Sequence, residues 1–265
     1  MILGIIGCGN MGGALLNRLS LSGIIAKENI YIWDVDTDKL TEFHDRLGVT
    51  IAKSNTDLAS KCTHIVLATL PQLYDEVMRD ISPCIQKDAC IITIAPGYSL
   101  EKTQSFFSET KNIVRTMPNT PCVVGEGMVA ICPAPTMCNE MVAEIEQLFS
   151  CLGKTEIITE KQFNAFIGIC GSSPAYVFMF VSALADGGVL GGLTKEQALP
   201  MAAQAIYGSM KLVLESGKHP EMLKDGVTSP GGATIEGVAT LEKEGFRNAV
   251  IQAVRAVMDK ADNIK

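Results

Sequence analysis

Gly7-Cys8-Gly9-Asn10-Met11-Gly12 decides how this chain is read. Ahead of it run Ile2, Leu3, Ile5 and Ile6, an apolar run suited to a buried parallel strand. Behind it Ala14, Leu15, Leu16 and Leu19 recur at the spacing of one helix face. Glycines between a strand and a helix are the setting of the dinucleotide fingerprint. In that reading Gly7 permits the tight turn, Gly9 lets a pyrophosphate approach the backbone, and Gly12 lets the helix pack close to the strand. The free N–H groups of the first helical turn then meet phosphate charge. The plain alternative is a glycine-rich turn that binds nothing. Context weighs against it. A second apolar run, Ile30-Tyr31-Ile32-Trp33, ends in Asp34, about twenty residues on, where a carboxylate would grip a ribose 2′-hydroxyl.

Outward from that stretch, strand and helix patterns alternate to about Ile158. A polar helix is expected from Asp36 to Leu47, opened by the capping residues Asp36-Thr37-Asp38. Strands are expected near Val49–Ile51, at Ile65–Ala68 and Ile91–Ile94, from Ile113, at Met128–Ile131 and at Thr155–Ile158, with a helix at Glu140–Leu152 before the last. Such alternation argues a parallel sheet covered by helices on both faces. The loops Ala68-Thr69-Leu70-Pro71, Ala95-Pro96-Gly97 and Met117-Pro118-Asn119-Thr120-Pro121 follow the fourth, fifth and sixth strands. They should face the nicotinamide half of a bound dinucleotide, since ligands of open α/β sheets sit at the carboxyl ends of strands. Ordinary loop punctuation is the alternative.

Beyond about Glu160 only helical patterns remain: Phe163–Ile169, Ala175–Leu190, Lys195–Ser216, Ala233–Lys243 and Phe246–Asp259. They are rich in Ala, Gly and Met and poor in aromatic bulk, which permits close helix packing. Stripes such as Ala198, Ala202 and Ala205, or Met201, Ile206 and Met210, are more apolar than a segment of roughly a hundred residues can bury alone. This half is expected to pair with a second copy. Ala175–Ala185, the most membrane-like stretch, is followed by Asp186-Gly187-Gly188 and is read as a buried helix.

Composition narrows the classes. The chain has 265 residues, 47% of them apolar, and a formal net charge of −7 without a basic cluster, so no nucleic-acid footprint is seen. Nine cysteines contain no C-x-x-C, and His44, His64 and His219 have no ligand spacing to them, so no metal site is expected. Reduced thiols, a cytoplasmic setting, no signal peptide and no membrane partner are the matching expectations.

A second chemical stretch is Thr228-Ser229-Pro230-Gly231-Gly232-Ala233-Thr234, at a helix start. Its free N–H groups suit a small carboxylate, and Thr234 suits a neighbouring polar atom. Taken alone, a capped rigid turn without chemistry reads slightly better. Gly171-Ser172-Ser173-Pro174-Ala175-Tyr176 opens another helix, with Pro174 in its first turn. No Ser-His-Asp arrangement exists, and Lys195, Lys211 and Lys224 lie in no constellation. A protonated imine needs no general base. It accepts hydride once its carboxylate is held and the donor is oriented.

These motifs converge. Ile6 to Gly12, Met117 to Pro121, Gly171 to Tyr176, Ala185 to Gly188, and Leu223-Lys224-Asp225 followed by Ser229 to Thr234 resemble the Δ1-pyrroline-5-carboxylate reductases along the whole chain. The resemblance implies an α/β fold: an N-terminal Rossmann domain with a mostly parallel sheet over residues 1–159, then an all-α substrate-binding and dimerisation domain over 160–265. It implies reduction of pyrroline-5-carboxylate to proline by NADPH or NADH, in a homodimer with shared active sites that sometimes assembles further. It places the dinucleotide on Ile6 to Gly12, Asp34, Asn55, Ala68 to Pro71, Ala95, Gly97 and Asn119. It places the substrate carboxylate on Ser229 and Gly231 to Thr234, and Thr234 on the ring nitrogen. Three positions depart from the family: Leu70 for a lysine, Pro96 for a small residue, and Asp34 where NADPH-preferring members carry hydroxyl or basic residues. Asp34 should repel a 2′-phosphate, so a leaning towards NADH is expected. Two other readings compete: a β-hydroxyacid dehydrogenase, which would want a lysine that Gly168 to Ser173 lacks, and a dinucleotide-binding paralogue without turnover.

Overall fold

The computed structural model describes residues 1–108 and 110–262. Eight strands make one sheet: β1 (Leu3–Ile6), β2 (Ile30–Trp33), β3 (Thr50–Ile51), β4 (His64–Leu67), β5 (Cys90–Thr93), β6 (Ile113–Met117), β7 (Gly127–Pro133) and β8 (Gly153–Ile157). Their spatial order is β3-β2-β1-β4-β5-β6-β7-β8. The strand order reverses between β1 and β4, and such a switch opens a crevice at the carboxyl ends. Every neighbouring pair is parallel except β6 and β7. The chain from Met117 to Gly127 is shorter than the roughly dozen residues a parallel crossover needs, so it returns as a hairpin.

The helices of this unit are α1 (Asn10–Ser22), α2 (Thr37–Leu47), α3 (Asn55–Lys61), α4 (Tyr74–Ile81), α5 (Leu100–Gln104), α6 (Asn139–Ser150) and the single turn α7 (Phe163–Phe166). Strand residues alternate between two cores. Leu3, Ile5, Val66 and Ile92 join one with Leu15, Leu40 and Leu148, while Ile6, Ile65, Leu67 and Ile91 join the other with Leu58, Tyr74 and Met78. Asp36 caps α2 by accepting the Lys39 N–H, and Ser54 caps α3 through the Asp57 N–H. Helices α3, α4 and α5 were not legible in the sequence. They are only five to eight residues long, too short to display a clear apolar period.

The remaining helices are α8 (Ser173–Leu190), α9 (Lys195–Ser216), α10 (Pro220–Gly226), α11 (Ala233–Lys243) and α12 (Phe246–Asp262). Compactness divides the chain into Met1–Gly171 together with the chain from Val257, and Ser172–Ala256. In the helical unit Ala185, Ala198 and Ala202 make a small buried cluster with Val181 against them. In the single chain the rest of α8 stands open: Phe178 is 62% and Met179 73% exposed. Met201 and Met210 stand more than half exposed too. A single chain has no second layer to cover these faces. The apolar stretch from Glu160 to Leu190 is long enough to pass for a membrane span by length and composition. All nine cysteines are free.

His64 at the start of β4 is 3% exposed, with Nε2 3.3 Å from Glu144 Oε2 and Nδ1 3.0 Å from Thr63 Oγ1. Burial pushes its pKa below the ordinary 6.5, and Glu144 opposes this only in part. The unfolded chain therefore takes this proton first as pH falls, so the stability is present above about pH 6.5 and drains away below it. Urea midpoints at fixed protein concentration should drop between about pH 7.5 and 5.5, with the slope flattened in His64→Gln. Parallel slopes would show that the drop arises elsewhere.

Candidate active site

The first cradle lies at the carboxyl ends of β1 and β4. Gly7 sits at φ +100°, and a Cβ there would be 2.6 Å from the Ala68 carbonyl carbon. Its N–H donates to the Trp33 carbonyl at 2.8 Å, locking the loop to β2. A Cβ at Gly12 would overlap the Gly7 carbonyl oxygen, so α1 can approach the strand only with glycine there. Gly9 differs, because nothing lies within 4 Å of where its Cβ would be. Glycine at position 9 is thus not required by packing within the chain. It begins α1 as an N-cap without a side-chain hydrogen bond, and the first turn carries no acid. The positive end of the helix is left open beside Asn10 and Met11, as an anion site requires.

Asp34 stands at the end of β2 with both carboxylate oxygens engaged. Oδ2 accepts the Cys8 N–H at 2.6 Å and Oδ1 accepts the Asp36 N–H at 2.9 Å. The fixed negative charge therefore lies against the glycine loop. Burial, and then the Asp34 charge, push the Cys8 thiol up to about 12, which keeps it a neutral, unreactive filler.

The neighbouring strand ends carry polar atoms without partners. Asn55 Oδ1, on the first residue of α3, is buried and unpartnered, and so is Thr69 Oγ1 after β4. Buried polar atoms without partners call for an explanation, and a ligand rich in hydroxyl donors supplies one. Ala68 donates its N–H to the Ile6 carbonyl. Leu70 is 62% exposed, and Pro71 starts a short 3₁₀ turn beside it. After β5, Ala95 is buried and Gly97 turns at φ +83°. The residues present fit a dinucleotide.

Asn119 is committed inside the protein. Its Oδ1 accepts the Met128 N–H at 3.0 Å, and its Nδ2 donates to the Cys170 carbonyl at 3.0 Å. Cys170 lies in a π-helical turn, Ile167–Gly171, which replaces the end of the helix expected over Phe163–Ile169. Such turns displace carbonyls from the regular ladder, and here a distant amide meets one. Nothing in the local sequence signals that pairing. Arg115 was missed in the same way. It is 8% exposed, donates to Glu160 at 3.1 Å and lies 3.7 Å over the Phe163 ring. A lone arginine in an apolar strand does not announce its partner.

The second cradle belongs to the helical unit. Gly231 turns at φ +67°, and Gly232 donates its N–H to the Ser229 carbonyl at 3.0 Å. A Cβ at Gly232 would overlap Ser229 Oγ, so the serine hydroxyl folds in over the turn only because glycine is there. Gly232 begins α11 without a side-chain cap, and Ala233 and Thr234 form its first turn, exposed in the single chain together with Ser229. Glu236 also lies in that turn and offsets part of the helix field, which leaves the N–H groups to carry the attraction. Thr228 Oγ1 donates back to the Lys224 carbonyl at 3.3 Å. Upstream, His219 is the N-cap of α10, accepting the Glu221 N–H, and Pro220 fills the first position.

Comparison with known proteins connects these observations. Residues 160–264 match the family model for pyrroline-5-carboxylate reductase dimerisation, and residues 2–97 match that for coenzyme F420-dependent NADP oxidoreductases. The dimerisation match makes the protein a homodimer, and α8 and α9 lie within the matched residues. Pyrroline-5-carboxylate reductase of Escherichia coli K12 is 41% identical over 262 residues, spanning 99% of this chain and 97% of that one. The Plasmodium falciparum pyrroline carboxylate reductase with NADP bound superposes with a TM-score of 0.87 at 33% identity, over 99% and 97% of the two chains. A pyrroline-5-carboxylate reductase from Coxiella burnetii superposes at 0.94 with 27% identity, over 100% and 98%. With relatives this similar across both cradles, the chain belongs to the pyrroline-5-carboxylate reductase family.

Proposed function

We propose that this enzyme reduces 1-pyrroline-5-carboxylate to L-proline, the last step of proline biosynthesis, using NADPH or NADH. The match to the Escherichia coli reductase, continuous through both cradles, carries this reading. The free N–H groups of the first turn of α1, Asn10 to Gly12, receive the pyrophosphate over the open Gly9, and Asn55 and Thr69 offer their unpartnered oxygens to ribose and nicotinamide-side donors. Ala95 and Gly97, small at the end of β5, leave room for the ring. The N–H groups of Gly231 to Thr234 and the Ser229 hydroxyl hold the substrate carboxylate. Thr234 Oγ1 meets the ring nitrogen and keeps its proton in place. When bound, the reduced nicotinamide supplies the hydride that the C=N carbon accepts. The residues contribute orientation and charge placement rather than proton removal. Each site draws on both copies of the dimer, dimers assemble further, and the enzyme works in the cytoplasm.

Asp34 sets the cofactor preference. A fixed carboxylate against the loop repels a 2′-phosphate and tolerates a 2′-hydroxyl. Oxidation of each nicotinamide driven by pyrroline-5-carboxylate tests both points. Turnover with the imine is expected, with NADH favoured, and Asp34→Asn should shift the kcat/KM ratio towards NADPH by about tenfold, the scale of one charge pair. No imine-dependent oxidation would overturn the function. A parental preference for NADPH would overturn only the role of Asp34.

A further inference from the structure

Five charged side chains of the helical unit form one chain of ion pairs that the reaction above does not use. Arg247, in the first turn of α12, donates through Nη2 to Glu221 Oε1 at 2.7 Å and through Nε to Glu242 Oε1 at 2.6 Å. Lys224 Nζ takes the other oxygen, Glu221 Oε2, at 2.6 Å and stands 3.4 Å from Asp225 Oδ1. Glu221 belongs to the first turn of α10 and Glu242 to the last turn of α11. Everything between them is α10, the Thr228–Thr234 turn and α11. One planar guanidinium therefore holds both ends of the excursion that carries the cradle.

The cluster also runs directly into the turn. The Lys224 carbonyl accepts the Val227 N–H at 3.1 Å and the Thr228 hydroxyl at 3.3 Å, and the Asp225 carbonyl accepts the Thr228 N–H at 3.2 Å. Isolated exposed ion pairs contribute little. This arrangement differs in kind, because a rigid fork joins carboxylates from two helices and one of those carboxylates is engaged on both oxygens. Two cationic partners hold the Glu221 carboxyl down at about 2, so it stays charged across any working pH.

We propose that Arg247 is a positioning residue for substrate binding: it clamps the two ends of the α10–α11 excursion and so fixes the turn that receives the imine's carboxylate. This rests on the reading of Ser229–Thr234 as that cradle. Arg247 touches neither substrate nor cofactor in this role.

The test compares Arg247→Met, Arg247→Lys and Thr234→Ala in steady-state kinetics of the full-length enzyme, with inhibition by L-proline as a second measure of cradle occupancy. Arg247→Met should raise the KM for pyrroline-5-carboxylate and the proline inhibition constant together by about tenfold, with the nicotinamide KM and the dimer mass unchanged. Arg247→Lys, a point charge that cannot span both carboxylates, should fall between. Should Arg247→Met not fold, Glu221→Ala with Glu242→Ala removes the same two contacts and should give the same split. Equal rises for imine and nicotinamide, or no rise for either, would overturn the clamp. A Thr234→Ala enzyme with parental imine kinetics overturns the cradle itself. A crippled Thr234→Ala enzyme beside an unaffected Arg247→Met enzyme overturns the clamp alone.

Discussion

Gly9→Val should leave the fold standing and remove the cofactor. No atom lies within 4 Å of the position its Cβ would take. At φ −73° and ψ −158° the residue is in extended backbone that valine adopts readily. The fold loses only the difference between glycine and valine as a helix cap, about 1 kcal/mol. The dinucleotide loses far more. Its pyrophosphate must come within hydrogen-bonding distance of the α1 N–H groups, and two methyl groups then stand in that path. Losing two or three charge-assisted hydrogen bonds weakens binding by roughly a hundredfold or more. Gly12→Val is the contrasting case, since its side chain would overlap the Gly7 carbonyl oxygen inside the same unit. That variant should lose thermal stability before any ligand is added. Calorimetric titration with NADH and NADPH, beside thermal unfolding, reads both. Near-parental affinity in Gly9→Val would place the phosphates elsewhere.

Thr234→Ala should lower kcat/KM for the imine by about one to two decades, the scale of one polar contact present in the transition state. Thr234 lies in the first turn of α11 and is exposed in the single chain. Alanine is the better helix former there, so the loss cannot be laid to unfolding. Nicotinamide affinity should not change, because the contact belongs to the carboxylate cradle. Thr234→Ser keeps the hydroxyl and should recover most of the rate. Parental kinetics in Thr234→Ala would remove this hydroxyl from the reaction.

Much of the fold was legible from residue order alone. Short apolar runs located the central strands β1, β4 and β5, because a buried parallel strand has to be apolar on both faces. The glycine spacing located the crevice, and the Ser229–Thr234 motif marked the turn proposed as the second cradle. Short helices such as α4 and α10 escaped notice because one or two turns offer too few positions to show a period. Partners distant in sequence escaped for a different reason. Asn119 with Cys170, Arg115 with Glu160, and Arg247 with both Glu221 and Glu242 meet only after the elements that carry them have packed.

The amino-acid order by itself determined the class of fold, the two cradles and the family chemistry. The fold class and the glycine loop follow from backbone freedom and apolar spacing within a few consecutive residues, and the chemistry from the resemblance that the longer motifs carry. Tertiary structure alone decided that both oxygens of Asp34 are already held, and that α8 lies open in a single chain. Both depend on how elements pack, as when Asp34 meets the Cys8 N–H across 26 positions, and local sequence carries no record of that.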